Sequence, residues 1–216
     1  MTTQWEMIAP EGFRFFGKMS ASISHEIKNA LAIINENAGL LEDLTLLAEQ
    51  GRPTDPERLK KLALAIMKQI QRADGLVKRM NRFAHSADEA EKTVDLGDLL
   101  DLITAIAQRL ASQREARMEL ILPQEPVKTG TNPFLLENLI WLCLDHLLAE
   151  GHKAIQLIPE GTASEVRIRL RGQFEFAGAP EGFPGRKETV LLEALEAHME
   201  IEASAGEIVL RLSKTI

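Results

Sequence analysis

Apolar residues recur at Ile23, Ile27, Ala30, Ile34, Leu41, Leu44 and Ala48, in alternating steps of four and three broken only by Asn37. That period is a helical heptad seam. Leu31, Ala38, Leu40 and Leu47 widen the apolar face beyond a two-stranded seam, which suits a helix inside a bundle. The stretch "EQGRPTDPE", Glu49 to Glu57, then carries a glycine and two prolines: a stop, and a restart with Thr54 or Asp55 as N-cap before Pro56. A second helix is expected from Pro56 to about Ala87, its seam at Leu59, Leu62, Ile66, Ala73, Leu76, Met80 and Phe83, with Gln69 the polar exception. Two antiparallel helices cannot cover faces this wide for each other alone, so the pattern predicts a homodimer closing a four-helix bundle.

Beyond this hairpin the periods mix. The polar segment His85 to Thr93 reads as a linker, dividing residues 1–92, a helical hairpin domain, from residues 93–216. The second part predicts helices at about Leu96–Gln113 and Asn132–Glu150, a strand at Met118–Leu122, and alternating strands at Ala154–Ile158 and Glu165–Arg171. A short helix near Lys187–Ala197 leads to strands at Met199–Ala203 and Glu207–Leu212. The fold class is therefore α+β, with a two-layer domain after the hairpin.

The seam also says where the polar groups stand. With Ile23 and Ile27 in the core, His25 falls midway between them on the opposite, water-facing side of the helix. Asn29 lies one turn later and Glu26 lies beside the histidine, so His25, Glu26 and Asn29 can share one exposed edge, with Lys28 next to it. Equal-step counting from the turn, with residue 48 opposite 57, places His25 level with Met80 and so near Lys78, Arg79 and Arg82. Those cations can draw in an acidic partner, and they equally suit the C-terminal end of a helix dipole. His85, His146, His152 and His198 have no metal-ligand spacing, and the lone Cys143 inside "LIWLCLDHLL" reads as a small buried apolar residue.

Bulk properties narrow the partners. At 216 residues the chain can hold one large or two modest domains, and its formal charge of −7 gives no footprint for nucleic acid or an anionic membrane surface. No apolar run approaches the roughly 20 residues of a membrane span, and the start "MTTQWEMIAPEG" lacks the regions of a signal peptide. The expected location is cytoplasmic.

The segment "SHEIKNALAII" resembles the phosphoacceptor box of sensor histidine kinases, and the hairpin around it resembles their dimerisation and phosphotransfer domain. The likeness continues through "VDLGDLLDLITAIAQRLASQREARMELILP" and "TNPFLLENLIWLCLDHLLAEG", which follow the run of the kinase ATP-binding domain. It implies a degenerate histidine-kinase-ATPase-like α/β sandwich. At the positions where the family carries two asparagines, the second of them a magnesium ligand, this chain has Leu142 and His146. Where the aspartate-glycine box is due, the chain reads "GQFEFAGAPEGFPGRKE", in which Gly178, Gly182 and Gly185 read as turn residues with Pro180 and Pro184. Ala30 replaces the proline common five residues after the histidine, which predicts a straighter helix.

These departures turn the expectation from an ATP-dependent kinase towards a histidine phosphotransfer protein of a two-component phosphorelay. The resemblance implies His25 as phosphoacceptor, Glu26 as its polarising neighbour and Asn29 as an aid to receiver dephosphorylation. Lys28, Lys78, Arg79 and Arg82 would then be partner-binding. The partners would be response-regulator receiver domains, whose own Mg2+ serves the reaction so that the chain needs no cofactor, and an upstream hybrid histidine kinase. A non-catalytic dimeric adaptor or inhibitor and a divergent sensor kinase are the other readings.

Overall fold

The computed structural model describes residues 2–162, 164–174 and 182–214, with side chains from residue 5 onward. The chain forms two compact units. One spans Ser20–Asn81, and the other joins the residues up to Met19 to those from Arg82 onward.

The first unit is the expected hairpin, cut from two long helices, α1 (Thr2–Glu49) and α2 (Pro56–His85). The helix α1 reaches well back of the seam that predicts it, because Pro10, Gly12 and Gly17 interrupt the pattern without ending the helix. Ile23, Ala30, Leu44 and Leu76 are buried, and the remaining seam residues of α2 up to Met80 are half-buried. Asn37 donates its side-chain N–H to the Ile33 carbonyl at 2.7 Å, so its amide is satisfied within its own helix. At the restart, Asp55 is the cap: its Oδ1 accepts the Glu57 N–H at 3.0 Å, with Pro56 at the first helical position. Leu31, Leu64, Met67, Ile70 and Val77 stay exposed on this unit, the last three at helical spacing on α2.

The second unit is α+β. Strands β2 (Arg117–Leu120), β4 (Ala154–Gly161), β5 (Glu165–Arg171), β7 (Glu207–Ser213) and β6 (His198–Glu202) form one sheet in that spatial order. The β2–β4 pair is parallel and the others antiparallel. Alternation turns Val166, Ile168 and Leu170 inward and Arg167, Arg169 and Arg171 outward. On that outer face Glu207 is buried and takes both Arg169, at 2.5 Å, and Arg171, so its charge is paired where water is scarce. Helices α3 (Leu96–Gln113), α4 (Pro133–Ala149) and α5 (Arg186–Ala194) complete the unit, α4 packing against both of the others. The helix α4 is buried around most of its circumference, as its nearly unbroken apolar run requires. Asn132 caps it, accepting the Leu135 N–H at 2.9 Å.

One feature was not legible in the sequence. Part of the expected linker is a strand, β1 (Lys92–Asp95), paired antiparallel with β3 (Lys128–Thr131). Four polar-rich residues become a strand only because a distant segment satisfies their backbone. The ends of the two long helices also belong to this unit: Phe15 meets Phe83 edge-on at 5.3 Å, Phe16 stacks on Phe83 at 5.4 Å, and Phe134 of α4 lies 5.5 Å from Phe15. Burying a phenylalanine in such a cluster contributes roughly 1.5–3 kcal/mol.

Beside these rings Glu137 of α4 is almost fully buried, its Oε2 2.8 Å from the Ser86 hydroxyl, which also lies 2.7 Å from the Phe83 carbonyl. Burial pushes the Glu137 carboxyl up to about 8, against the opposing pull of the Ser86 hydrogen bond and the Arg82 charge. Burial thus favours the protonated carboxyl at neutral pH, within hydrogen-bond distance of the Ser86 hydroxyl. A folded-state value above the unfolded one makes stability fall as pH rises from about 4.5 towards 8. Denaturant unfolding of the wild type is expected to lose at least about 1 kcal/mol between pH 5 and pH 8. Glu137→Gln, which keeps the donor and removes the titration, should flatten that slope; an unchanged slope would rule this account out.

Candidate functional site

In the hairpin unit His25, Lys28 and Asn29 are exposed and Glu26 is half-buried, while Ser22 and Ile23 just before them are buried. The imidazole thus stands on the water side of α1. The helix runs without a break through Ala30, which is fully buried. Such a site offers a nucleophilic nitrogen to a reactant arriving from solvent, with a carboxylate and an amide within one turn.

Glu26 makes an ion pair with the guanidinium of Arg72, reaching across from α2. The glutamate side chain is 23% exposed and the arginine 47%. Among the described residues of this unit it is the only ion pair joining the two helices. Equal-step counting places Arg79 opposite Glu26, so the cation that reaches the box lies about two turns nearer the loop than counting allows. Lys78 instead pairs with Asp74 on its own helix at 2.8 Å, and Arg79 is exposed. Arg82, in the α+β unit, donates to the Asp98 carbonyl at 3.2 Å. The signal for Arg72 was present but unread: Glu26 precedes the seam residue Ile27 and Arg72 precedes the seam residue Ala73, flanking positions that meet across paired helices. Gln69, one turn before Arg72, keeps its Oε1 buried at the same edge of α2.

The α+β unit bears on whether a magnesium nucleotide fits. Leu142 is buried in α4, and the imidazole of His146 stacks face to face on Phe183, ring centroids 4.0 Å apart and planes within 1°. Burial lowers the His146 pKa below the usual histidine value. A hydrocarbon side chain and a capped imidazole do not offer the oxygen ligands that magnesium takes, so these residues do not fit the ion. Gly182 has a positive φ of 74° in a turn, and the Gly185 N–H donates to Glu188 Oε2 at 2.8 Å at the start of α5. Both serve local chain direction; Gly178 and Pro180 lie outside the described residues.

His152 is likewise held. Its Nδ1 accepts the Gln173 N–H at 2.9 Å, which leaves the ring proton on Nε2, and Phe174 stacks on it at 4.0 Å. A Cβ on Gly172 would lie 2.3 Å from that Nδ1, so glycine is what lets the chain pass. His85 pairs with Asp88 at the surface, and Cys143 is buried among apolar neighbours, its thiol pKa pushed up by burial.

Residues 17–89 match the His Kinase A (phospho-acceptor) domain, a span that contains the box around His25. The match covers about a third of the chain, and within it the likeness is to the phospho-acceptor domain of histidine kinases. Among solved structures it is similar to the histidine kinase AdeS of Acinetobacter baumannii, with 12% identity and a TM-score of 0.47 over 88% of this chain and 97% of that one. It is also similar to the ATP-binding domain of PrrB from Mycobacterium tuberculosis, at 21% identity and TM-score 0.47, over 59% of this chain and 100% of that one. A third likeness is to histidine kinase ThkA in complex with the response regulator protein TrrA, at 16% identity and TM-score 0.48, over 99% and 66%. No curated protein matches the sequence. Among the described residues no helix is long and apolar enough to cross a membrane.

Proposed function

We propose that this chain is a histidine phosphotransfer protein of a two-component phosphorelay, accepting a phosphoryl group on His25 from one receiver-domain aspartate and passing it to another. The observation that carries the reading is a pair of facts: an exposed histidine in a hairpin that matches a phosphoacceptor domain, and an α4 helix whose ligand positions hold Leu142 and a Phe183-capped His146. Transfer from an acyl phosphate asks for an exposed, unprotonated imidazole nitrogen and in-line approach, and little more from this side. Magnesium belongs to the receiver. Glu26 orients or polarises the imidazole, and Asn29 positions water if receiver dephosphorylation accompanies transfer. Lys28, Lys78 and Arg79 are exposed cations that steer an acidic receiver pocket. The upstream donor class is a hybrid histidine kinase carrying its own receiver.

The hairpin works as a homodimer in this reading. Leu31, Met67 and Ile70 are each more than half exposed in the single chain, a band of large apolar side chains that a second copy covers in a four-helix bundle. A second reading, an ATP-dependent kinase of divergent sequence, draws on the same phospho-acceptor match.

His25→Gln is expected to abolish label transfer from a phosphorylated receiver, with dimerisation and melting temperature nearly unchanged because the side chain is exposed. Wild-type protein should take no label from ATP and magnesium. Transfer that survives in His25→Gln favours an adaptor, and label from ATP favours the kinase. Light scattering should give a dimer for the wild type and a helical monomer for Met67→Glu/Ile70→Glu, since each charge would lie desolvated in the interface. A wild-type monomer would remove the bundle.

A further inference from the structure

We propose that Arg72 is a positioning residue for phosphoryl transfer at His25: its guanidinium neutralises and holds the Glu26 carboxylate, which otherwise repels the incoming phosphoryl dianion. This rests on His25 being the phosphoacceptor. Glu26 is the next residue in the chain, and its carboxylate is tied across the hairpin to Arg72 rather than left free beside the ring.

Three observations single the pair out from ordinary surface charge. Among the described residues of the hairpin unit it is the only ion pair between the helices, whereas Lys78 spends its charge on Asp74 within one helix. The glutamate side chain is mostly withdrawn from water, so screening of its charge is weaker than at an open surface. Gln69, a turn before Arg72, places a further polar group in a stripe that is otherwise apolar, at a break in the seam on the same edge.

In the transfer step the phosphorus–oxygen bond of the aspartyl phosphate breaks as the nitrogen–phosphorus bond forms. Aspartate leaves as its carboxylate, and the proton on the other ring nitrogen passes to water. Negative charge therefore arrives beside Glu26 before any leaves. With Arg72 in place the two side chains sum to zero; without it, one unpaired carboxylate next to the reacting nitrogen slows attack about tenfold.

Potassium phosphoramidate, a small anionic donor, tests the chemical step apart from docking: its phosphorus–nitrogen bond breaks and ammonia leaves as His25 is phosphorylated. The full chain is compared as wild type, Arg72→Gln, Arg72→Lys, Glu26→Gln and Arg72→Gln/Glu26→Gln, with initial rates from intact mass and His25→Gln as background. Arg72→Gln should fall about tenfold and Arg72→Lys stay near wild type, while in the Glu26→Gln background removing Arg72 should cost less than about threefold, because without the carboxylate there is no charge for Arg72 to neutralise. A merely structural pair would change melting without making the effect on rate depend on Glu26. Arg72→Gln at the wild-type rate, or a double variant about tenfold slower than Glu26→Gln, overturns the proposal. If phosphoramidate labels His25 with this pattern but no receiver does, the relay reading fails and the role of Arg72 stands; if His25 takes no label at all, both fail.

Discussion

Ile23, Ala30 and Leu44 on α1 and Leu76 on α2 are withdrawn from water along one stripe of each helix, and a helix is too stiff about its axis for the rest of its surface to choose independently. Burying that stripe turns His25 outward and sets Glu26 at the flank, where a residue of α2 can reach it. The exposed edge that carries His25 is therefore a by-product of where the apolar residues lie. Exposed side chains of this kind contribute little to stability.

The molecule treats its carboxylates in three ways, and the environment decides which. Glu207, buried on the sheet, is given two arginines and stays charged. Glu137, buried beside Ser86 and without a salt bridge among the described residues, is driven towards its neutral form. Glu26, partly exposed, has a single cationic partner from the facing helix. A carboxylate without an arginine in contact is cheaper to protonate than to leave charged in a low-dielectric site, and a partly hydrated one needs only modest help.

The α+β unit shows how packing deals with imidazoles away from open water. Leu142 joins the core of α4, and His146 and His152 each gain a phenylalanine across the ring face. Aromatic and imidazole faces stacked at 4.0 Å exclude water and gain dispersion, and Gly172 is kept small so that one of them can be reached.

The sequence by itself determined the elements whose periodicity is local: the two helices of the hairpin, the exposed side on which His25 stands, the helices α3 and α4, and the alternating strands β4, β5 and β7. Side chains three, four or two residues apart must share a face, so a single strand of text carries that information. The tertiary structure alone decided the pairing of β1 with β3, the reach of Arg72 to Glu26, the Phe15–Phe83–Phe134 cluster that draws the helix ends into the α+β unit, and the cover of Phe183 over His146. Each of these joins residues far apart in the chain through a contact with no period. Its energy comes from satisfying a buried or charged group with whatever partner folding brings near, and neither member announces the other in sequence.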